Sequence, residues 1–301
     1  MDYGEENLCK KMCDILLIGA MGDIGEAVGE SLTTHGLRVQ LIPFAQNTFR
    51  DESGYRRTLR QALTSCAPRM VWPVGHPLAL SRLVHASSDD GMSHLSSADA
   101  WLRERLREVI VPVSSPEVIM RLDSKVRCSH LAKELAIPQP AFYASAEEVT
   151  AYPVIFKRDR SFGGSGVYRP RTAEALRRLM ANEAGRPYLI EELVEGYDIS
   201  VDIVRYDGCF HAACYRILSR RQGQGPASQR EACEAPILVD YARRMLDAVN
   251  YQGVCGMDFR IGADGRVCFL ECNPRFTGGV QAQRESGFDI PWLLYKACLD
   301  L

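Results

Sequence analysis

Two acidic residues, Asp258 and Glu271, are the first candidates for chemistry in this chain of 301 residues. Each lies in a run of alternating apolar residues, and Asp264-Gly265 separates the two runs. An Asp-Gly pair between such runs predicts a β-hairpin with a two-residue turn. In that register Ala263 faces Arg266, and counting outward places Asp258 directly opposite Glu271.

Alternation along the two strands divides this hairpin into an apolar and a polar face. The apolar face, which we expect to join the core, carries Met257, Phe259, Ile261, Cys268, Leu270 and Cys272. The polar face carries Asp258, Glu271, Asn273 and Arg275. Two carboxylates directly across a ladder have Cβ atoms roughly 4.5–5.5 Å apart and repel each other. A cation is therefore expected between them, unless the hairpin is a surface ribbon whose acids point into water.

Magnesium fits these polar groups. It prefers oxygen ligands, takes one or two carboxylates from a protein and shares substrate phosphates. Asn273 adds a neutral oxygen to the two carboxylates, and the guanidinium of Arg275 suits a phosphate or a carboxylate. The sequence therefore predicts a metal site formed by Asp258, Glu271 and Asn273, with Mg²⁺ or Mn²⁺ as the ion.

Composition narrows the classes of protein. The 36 basic and 38 acidic residues nearly balance, and no basic stripe is interleaved with aromatic residues, which argues against nucleic-acid binding. No segment approaches the roughly 18 apolar residues of a membrane span, and Met1–Lys11 lacks a secretory apolar region. We therefore expect no membrane partner and a cytoplasmic location. The cysteines include no C-x-x-C pair and the histidines show no zinc-type spacing, so we expect reduced thiols.

The first hundred residues have the pattern of an α/β domain. A buried-strand run at Asp14–Ile18 is followed by glycines at 19, 22 and 25 and then by a helical pattern, which is typical of a Rossmann-type unit. Dinucleotide binding also requires an acid after the second strand, and Arg38–Pro43 ends without one. The glycines are then better explained by a tight strand-to-helix turn. A nicotinamide-dependent oxidoreductase stays a less favoured alternative.

Two lysines and a glycine-rich loop are candidates for binding an anion. Lys125 lies in the first turn of a predicted helix, where a cation opposes the helix dipole, so it either reaches solvent or serves an anion. Lys157 ends a short predicted strand, and the next ten residues, 158–167, contain three glycines. Such a loop can lay backbone N–H groups along a polyphosphate, with Gly163, Gly164 and Ser165 at its centre, although many loops of this kind are flexible connections only.

Five motifs, taken in order, resemble those of the ATP-grasp superfamily. They are Lys125 before Ala136-Ile137-Pro138-Gln139-Pro140, Pro153–Lys157 with its glycine loop, the acidic segment Tyr188–Gly196, Asp258, and Glu271-Cys272-Asn273-Pro274-Arg275. The similarity is greatest to the carbamoyl-phosphate-synthase and biotin-carboxylase branch, and it extends over residues 114–301. One departure is that Leu122-Asp123-Ser124-Lys125 is one residue longer than the usual Asp-Lys.

The resemblance implies a mixed α/β and α+β fold with a particular division of the chain. Residues 12–113 would form the Rossmann-like domain that often precedes an ATP-grasp domain, and residues 114–301 the ATP-grasp domain itself. Within it, about 114–194 would contain the first nucleotide-binding subdomain and 195–301 the metal-binding subdomain.

The resemblance also implies roles for residues. Lys125, Lys157 and the glycine loop would hold the phosphates of ATP, and Lys157 and Arg275 would assist the transfer itself. Adenine would meet Glu191 and Val194, with Glu192 beside them in the hinge segment, and either Glu195 or Asp198 would hold the ribose. An acidic edge strand without a ligand is the plain alternative for this segment.

The implied activity is that of an ATP- and Mg²⁺-dependent ligase, which activates a carboxylate as an acylphosphate and joins it to an amine. Both substrates would be small molecules, and an amino-acid or peptide-type ligase is the preferred form, with a homodimer as one arrangement. The rival is a non-catalytic, ATP-binding regulatory module. The sequence leaves open whether Arg216, Arg220, Arg221 or Arg284 contacts substrate, and whether residues 219–232 form a plain loop or a loop that closes over a ligand.

Overall fold

A computed structural model describes residues 12–20, 22–43, 52–85, 97–161, 163–220 and 227–301. The chain forms two compact units, Met1–Ser115 and Pro116–Leu301. Among the described residues, none of the helices combines the length and the apolar character that crossing a bilayer requires. The described cysteines, which are all but one of the eleven, are free thiols, as predicted.

The first unit contains a parallel sheet of three strands in the order β2-β1-β3. Its elements are β1 (Ile15–Ala20), α1 (Gly22–Thr34), β2 (Val39–Pro43), α2 (Glu52–Ser65), β3 (Met70–Pro73), α3 (Leu78–His85) and α4 (Ser97–Arg107). Gly19 and Gly22 have φ values of 77° and 50°, which explains the glycines at this strand-to-helix turn. The last predicted strand, Val109–Val113, is reduced to a single parallel bridge between Ile110 and Met70. The assignment of this unit as a Rossmann-like domain stays a prediction.

The second unit begins with two helices and a small antiparallel sheet of order β5-β4-β6. The elements are α5 (Pro116–Asp123), α6 (Lys125–Glu134), β4 (Val154–Arg158), β5 (Val167–Tyr168), α7 (Ala173–Asn182) and β6 (Tyr188–Glu192). Val154, Phe156 and Ile190 pack with Leu176 of α7 in a compact core of their own. Strand β4 of this sheet corresponds to the predicted short strand that ends at Lys157.

A five-stranded antiparallel sheet, of order β11-β10-β7-β8-β9, follows. Its elements are β7 (Gly196–Tyr206), β8 (Cys209–Arg220), β9 (Ala227–Cys233), α8 (Pro236–Ala248), β10 (Gly253–Gly262), β11 (Val267–Asn273), α9 (Val280–Glu285) and α10 (Ile290–Ala297). One face is apolar: Val201, Met257 and Phe259 pack against Leu131 of α6 and Leu238 of α8. Part of the predicted 219–232 loop is strand β9, and Arg221 lies outside the described residues.

The hairpin β10–β11 keeps the predicted acid pair but not the predicted turn. Gly262 N donates to Arg266 O at 2.8 Å, which closes a three-residue loop, so the predicted pairing of Ala263 with Arg266 is wrong. Ile261 then faces Val267 and Phe259 faces Phe269. A shift in the ladder after Phe259, with Leu270 as the extra residue, brings Asp258 opposite Glu271, as predicted.

The longer turn also changes which side chains of β11 face the core. Phe269 is buried in the core cluster and Val267 packs against it, in the places predicted for Leu270 and Cys268. A shift of one residue moves side chains to the opposite face of a sheet, which accounts for the error. Beyond the bulge the predicted parity returns, and Cys272 is in the core.

This register is tested by a matched pair of substitutions. Phe269→Ala removes a ring that packs edge-on against Phe259 at 5.5 Å, so we expect it to lower the free energy of unfolding of the second unit by about 3–5 kcal/mol. Leu270→Ala, at the half-buried bulge, should cost less than half as much. Urea unfolding followed by circular dichroism measures both. A larger loss for Leu270→Ala would contradict the bulge.

Candidate active site

The polar face of the large sheet forms the floor of the candidate site. Asp258 of β10 lies opposite Glu271 of β11 on one side and opposite Ser200 of β7 on the other. Burial and then the neighbouring charge of Glu271 raise the pKa of Asp258 to about 7. Burial also acts to raise the pKa of Glu271, but the charges of Lys125 and Lys157 outweigh it and the pKa is lowered. The two carboxyls therefore do not share charge equally, and the pair resists a second negative charge.

Lys125 is fixed beside this acid pair by the start of helix α6. Asp159 Oδ1 accepts hydrogen bonds from Ser124 Oγ at 2.8 Å and from Val126 N at 2.9 Å, which anchors the first turn. The ammonium of Lys125 lies 3.3 Å from Glu271 Oε2 and donates to Ser161 O at 3.1 Å, with only 6% of the side chain exposed. A buried cation in the first turn of a helix is thus stabilised by Glu271 and by the start of the glycine loop.

Lys157 forms a second buried ion pair. Its Nζ lies 2.8 Å from Glu191 Oε2, and the side chains are 9% and 3% exposed. Burial raises the pKa of Glu191, while the Lys157 ammonium opposes that rise. Lys157 is on β4 and Glu191 on the paired strand β6, so the small sheet sets their separation. Glu191, which the sequence suggested for adenine, is in this structure the counter-ion of Lys157.

The hinge segment at the end of β6 is held by hydrogen bonds to its main chain. Glu192 N donates to Ala141 O at 2.9 Å, Val194 O accepts from Arg260 Nη1 at 3.2 Å, and Glu195 O accepts from Ala263 N at 3.0 Å. The side chain of Glu192 pairs with Arg266, whereas Glu195 is exposed. The adenine and ribose roles of these residues stay predictions.

Asp198 lies between two arginines that the sequence did not connect with it. Its Oδ1 accepts from Arg260 Nε at 2.7 Å, and its Oδ2 accepts from Arg220 Nη2 at 2.8 Å and Nε at 3.1 Å. Burial acts to raise the pKa of Asp198, but the two arginines together lower it. Arg260 follows Asp258 by two residues, so strand alternation alone was enough to place it on this face.

A second group missed at the sequence level surrounds Asp202. Its Oδ1 accepts from Thr277 Oγ1 at 3.1 Å, and its Oδ2 from Gln283 Nε2 at 2.6 Å and Arg230 Nη1 at 2.9 Å. Thr277 and Gln283 belong to the segment after β11, so Asp202 fastens that segment to the sheet. Arg216, in contrast, lies over the ring of Tyr197 at 4.4 Å and pairs with Ile199, whose side chain is in the core on the other face.

The remaining predicted residues lie on two segments, the end of β11 with the residues after it and the glycine loop. Asn273 Nδ2 lies 3.5 Å from Glu271 Oε1, and Arg275 Nη2 donates to Asn273 Oδ1 at 3.0 Å. In the glycine loop, Gly163 and Gly164 have φ values of 61° and 77°, a conformation that glycine adopts without strain. Gly163 and Ser165 are exposed.

The side chains on this floor fit a magnesium ion shared with phosphates better than a closed metal cage. Among the described residues no three His, Cys, Asp or Glu side chains converge on a metal-sized site. Two carboxylates and an amide oxygen are a sufficient protein contribution for Mg²⁺ when phosphates supply further ligands. In addition, the buried Oγ of Ser200, opposite Asp258, has no hydrogen-bond partner within the described part of the chain. An orphaned buried hydroxyl is typical of a site completed by a ligand.

Comparison with known proteins identifies the domain. The family described as "ATP-grasp in the biosynthetic pathway with Ter operon" matches residues 185–301. Residues 185–301 are thus similar in sequence to an ATP-grasp domain. A relative, the carbamoyl phosphate synthase large chain of Rubrobacter xylanophilus, is 27% identical over 184 residues, which are 54% of this chain and 17% of that one. The chain thus spans about a sixth of the length of this curated relative.

Solved structures support the same ATP-grasp fold at low identity. Biotin carboxylase from Campylobacter jejuni, solved as a complex with β,γ-ATP, superposes with a TM-score of 0.70 at 14% identity, covering 95% of this chain and 71% of that one. An L-amino acid ligase from Bacillus licheniformis gives a TM-score of 0.68 at 15% identity, covering 95% and 74%. These likenesses confirm the predicted mixed α/β and α+β fold class.

A substitution at Gly256, which pairs with Asp202, tests whether the segment after β11 packs against the sheet at this position. A Cβ at Gly256 would lie 2.4 Å from Thr277 Cγ2, so we expect Gly256→Ala to destabilise the second unit by about 1–3 kcal/mol. Adding Thr277→Ser removes that methyl group but keeps the hydroxyl, and should restore part of the loss. Gly278→Ala is the matched control, because a Cβ added there would have nothing within 4 Å. Thermal melting compares these variants with the wild type, and failure of Thr277→Ser to restore stability would contradict the contact.

Proposed function

We propose that this chain is an ATP- and Mg²⁺-dependent ligase, which activates a small carboxylate as an acylphosphate and joins it to an amine. The proposal depends most on the opposed acids Asp258 and Glu271, with the lysine at 125 only 3.3 Å from Glu271. Two acids and two buried lysines converge here on the sheet of an ATP-grasp domain. Few sites other than one for a metal-bound polyphosphate require both signs of charge so close together.

The residues predicted for the metal and the phosphates would act together in this scheme. Asp258, Glu271 and Asn273 would hold Mg²⁺, which neutralises phosphate charge when bound. Lys125, Lys157 and the glycine loop at 163–165 would align the phosphates, and Arg275 would lie beside the transferring group. Phosphoryl transfer needs alignment and charge neutralisation more than covalent help from the protein, which matches a site made of charged groups on rigid elements.

The reaction balances without a further reagent. A carboxylate oxygen of the substrate attacks the γ-phosphorus of ATP while the bond from that phosphorus to the β-phosphate oxygen breaks, so ADP leaves. The amine nitrogen then attacks the acyl carbon, the carbon–oxygen bond to phosphate breaks, and the amine gives up a proton. The products are an amide, ADP and inorganic phosphate.

An amino-acid or peptide-type substrate is the preferred form of the proposal. The similarity of fold to an L-amino acid ligase supports it, because that protein shares the fold over 95% of this chain. A binding-only module is the rival function, and the presence of Asp258, Glu271 and both lysines in one site favours the enzyme.

Removing either acid tests the proposal. We expect Asp258→Asn or Glu271→Gln to lower ATP-dependent phosphate release by at least about a hundredfold across a panel of amino acids, because the phosphates lose their neutralising ion. The melting temperature of Asp258→Asn should be unchanged or higher, since one of two opposed charges is removed.

Asp264→Asn, in the exposed turn of the same hairpin, is the matched control and should keep wild-type turnover. Full phosphate release by a folded double variant, Asp258→Asn with Glu271→Gln, would contradict the metal assignment. Binding of ATP without turnover by the wild-type chain, across the whole panel, would favour the regulatory module instead.

A further inference from the structure

Asp198 and its two arginines form a charged cluster that the expected ribose role does not explain. Arg260 lies directly across the ladder from Asp198, and Arg220 is the last residue of β8. The side chain of Asp198 is 9% exposed, and each of its oxygens accepts from a guanidinium at 2.8 Å or less. The cluster is therefore part of the floor of the site.

The hydrogen-bonding capacity of Asp198 is nearly used by these partners. A carboxylate oxygen has about two lone-pair sites. Oδ2 accepts from both Nε and Nη2 of Arg220, and Oδ1 accepts from Arg260 Nε. A ribose hydroxyl that took the place of an arginine donor would exchange a charge-assisted hydrogen bond for a weaker one. Of the two acids suggested for the ribose, Glu195 is exposed and Asp198 is buried.

The second arginine, Arg260, holds Asp198 in one orientation. Its Nε donates to Asp198 Oδ1 at 2.7 Å and its Nη1 to Val194 O at 3.2 Å. Because Arg260 bridges a main-chain carbonyl and the carboxylate, Asp198 is fixed on the ladder rather than free to rotate. Asp198 in turn binds one edge of Arg220, Nε and Nη2, so the opposite edge of that planar group points away from it.

Strand geometry places Arg220 near the proposed metal ligands, because Asp198 and Ser200 share the polar face of β7 and Ser200 lies directly opposite Asp258. Burial acts to lower the pKa of Arg220, but the charges of Asp258, Asp198 and Glu271 raise it, with Asp258 the strongest of the three. Arg220 therefore lies within electrostatic reach of both acids proposed to hold the metal. The guanidinium held by Asp198 is thus a third cation, besides Lys125 and Lys157, close to the place where phosphates would meet that metal.

We propose that Asp198 is a positioning residue, which aims Arg220 at the phosphate chain of the nucleotide, and that it does not hold the ribose. This inference rests on the proposed function, since it assumes that a polyphosphate binds at Asp258 and Glu271. It assigns Arg220 a direct contact with a phosphate oxygen. It assigns Asp198 an effect on phosphate binding that is independent of the sugar.

Probes with and without a ribose separate the two roles. Binding of inorganic tripolyphosphate, ATP, 2′-deoxy-ATP and 3′-deoxy-ATP, each with Mg²⁺, is measured by calorimetry for the wild type, Asp198→Asn and Arg220→Gln. We expect both variants to bind tripolyphosphate about tenfold more weakly, which is the scale of one charge-assisted contact. The loss should be the same for ATP and for both deoxy nucleotides.

Further variants separate positioning from general damage. The double variant should lose no more than Arg220→Gln alone, because Asp198 acts through Arg220, and Arg220→Lys should give an intermediate affinity. Asp247→Asn is the matched control. It breaks the ion pair between Asp247 and Arg205, which lies on β7 as Asp198 does; the pair is 3.0 Å long, and its acid is more exposed than Asp198. This variant should bind every probe as the wild type does. If Asp198→Asn fails to fold, Arg220→Gln, which keeps the pair of Asp198 with Arg260, carries the test.

Two results would overturn the inference while leaving the proposed function in place. In the first, Asp198→Asn binds tripolyphosphate with wild-type affinity but no longer distinguishes ATP from the deoxy nucleotides. That result would show that Asp198 holds the ribose. The other is unchanged tripolyphosphate affinity in Arg220→Gln. A wild-type chain that binds none of the four probes would overturn the proposed function and this inference with it.

Discussion

Repulsion between two carboxylates is the constraint on which this site depends. At an effective dielectric constant near 20, two unit charges roughly 5 Å apart repel by about 3 kcal/mol. An opposite charge at the 3.3 Å that separates Lys125 from Glu271 attracts by about 5 kcal/mol at the same dielectric constant. Glu271 therefore stays ionised, and the repulsion acts mainly on Asp258. As a result the pKa of Glu271 is lowered and the pKa of Asp258 is raised.

Three other cations of the site follow the same rule, since each is paired with an acid. Lys157 pairs with Glu191, Arg220 with Asp198, and Arg230 with Asp202. Cations gathered for a polyphosphate would otherwise repel one another in a partly buried site. Pairing lets rigid elements hold them before any ligand arrives, and electrostatic preorganisation of this kind lowers the cost of reorganisation during phosphoryl transfer.

The sequence predicted what local patterns determine and missed what depends on distant strands. The opposition of Asp258 and Glu271 was predicted from a turn of the wrong length, and it survives only because the bulge at Leu270 offsets the longer loop. No local signal determines that β7 pairs with β10, so the pairs made by Asp198 and Asp202 were not predicted. Their alternation with the apolar Ile199, Val201 and Ile203 did mark one polar face of that strand.

On the polar face of β7 and β10, two successive cross-strand pairs, or rungs, each contain a small residue, which leaves space above the sheet. At the first, Gly256 lies opposite Asp202, and Thr277 occupies the space that a side chain at 256 would take. At the second, Ser200 lies opposite Asp258, and its buried Oγ has no partner among the described residues. An unsatisfied buried hydroxyl costs about 1–3 kcal/mol. The hydrogen bonding of the rung at Ser200 and Asp258 is therefore less complete than that of the rung at Gly256 and Asp202. This is expected if a bound ligand supplies the missing hydrogen bonds.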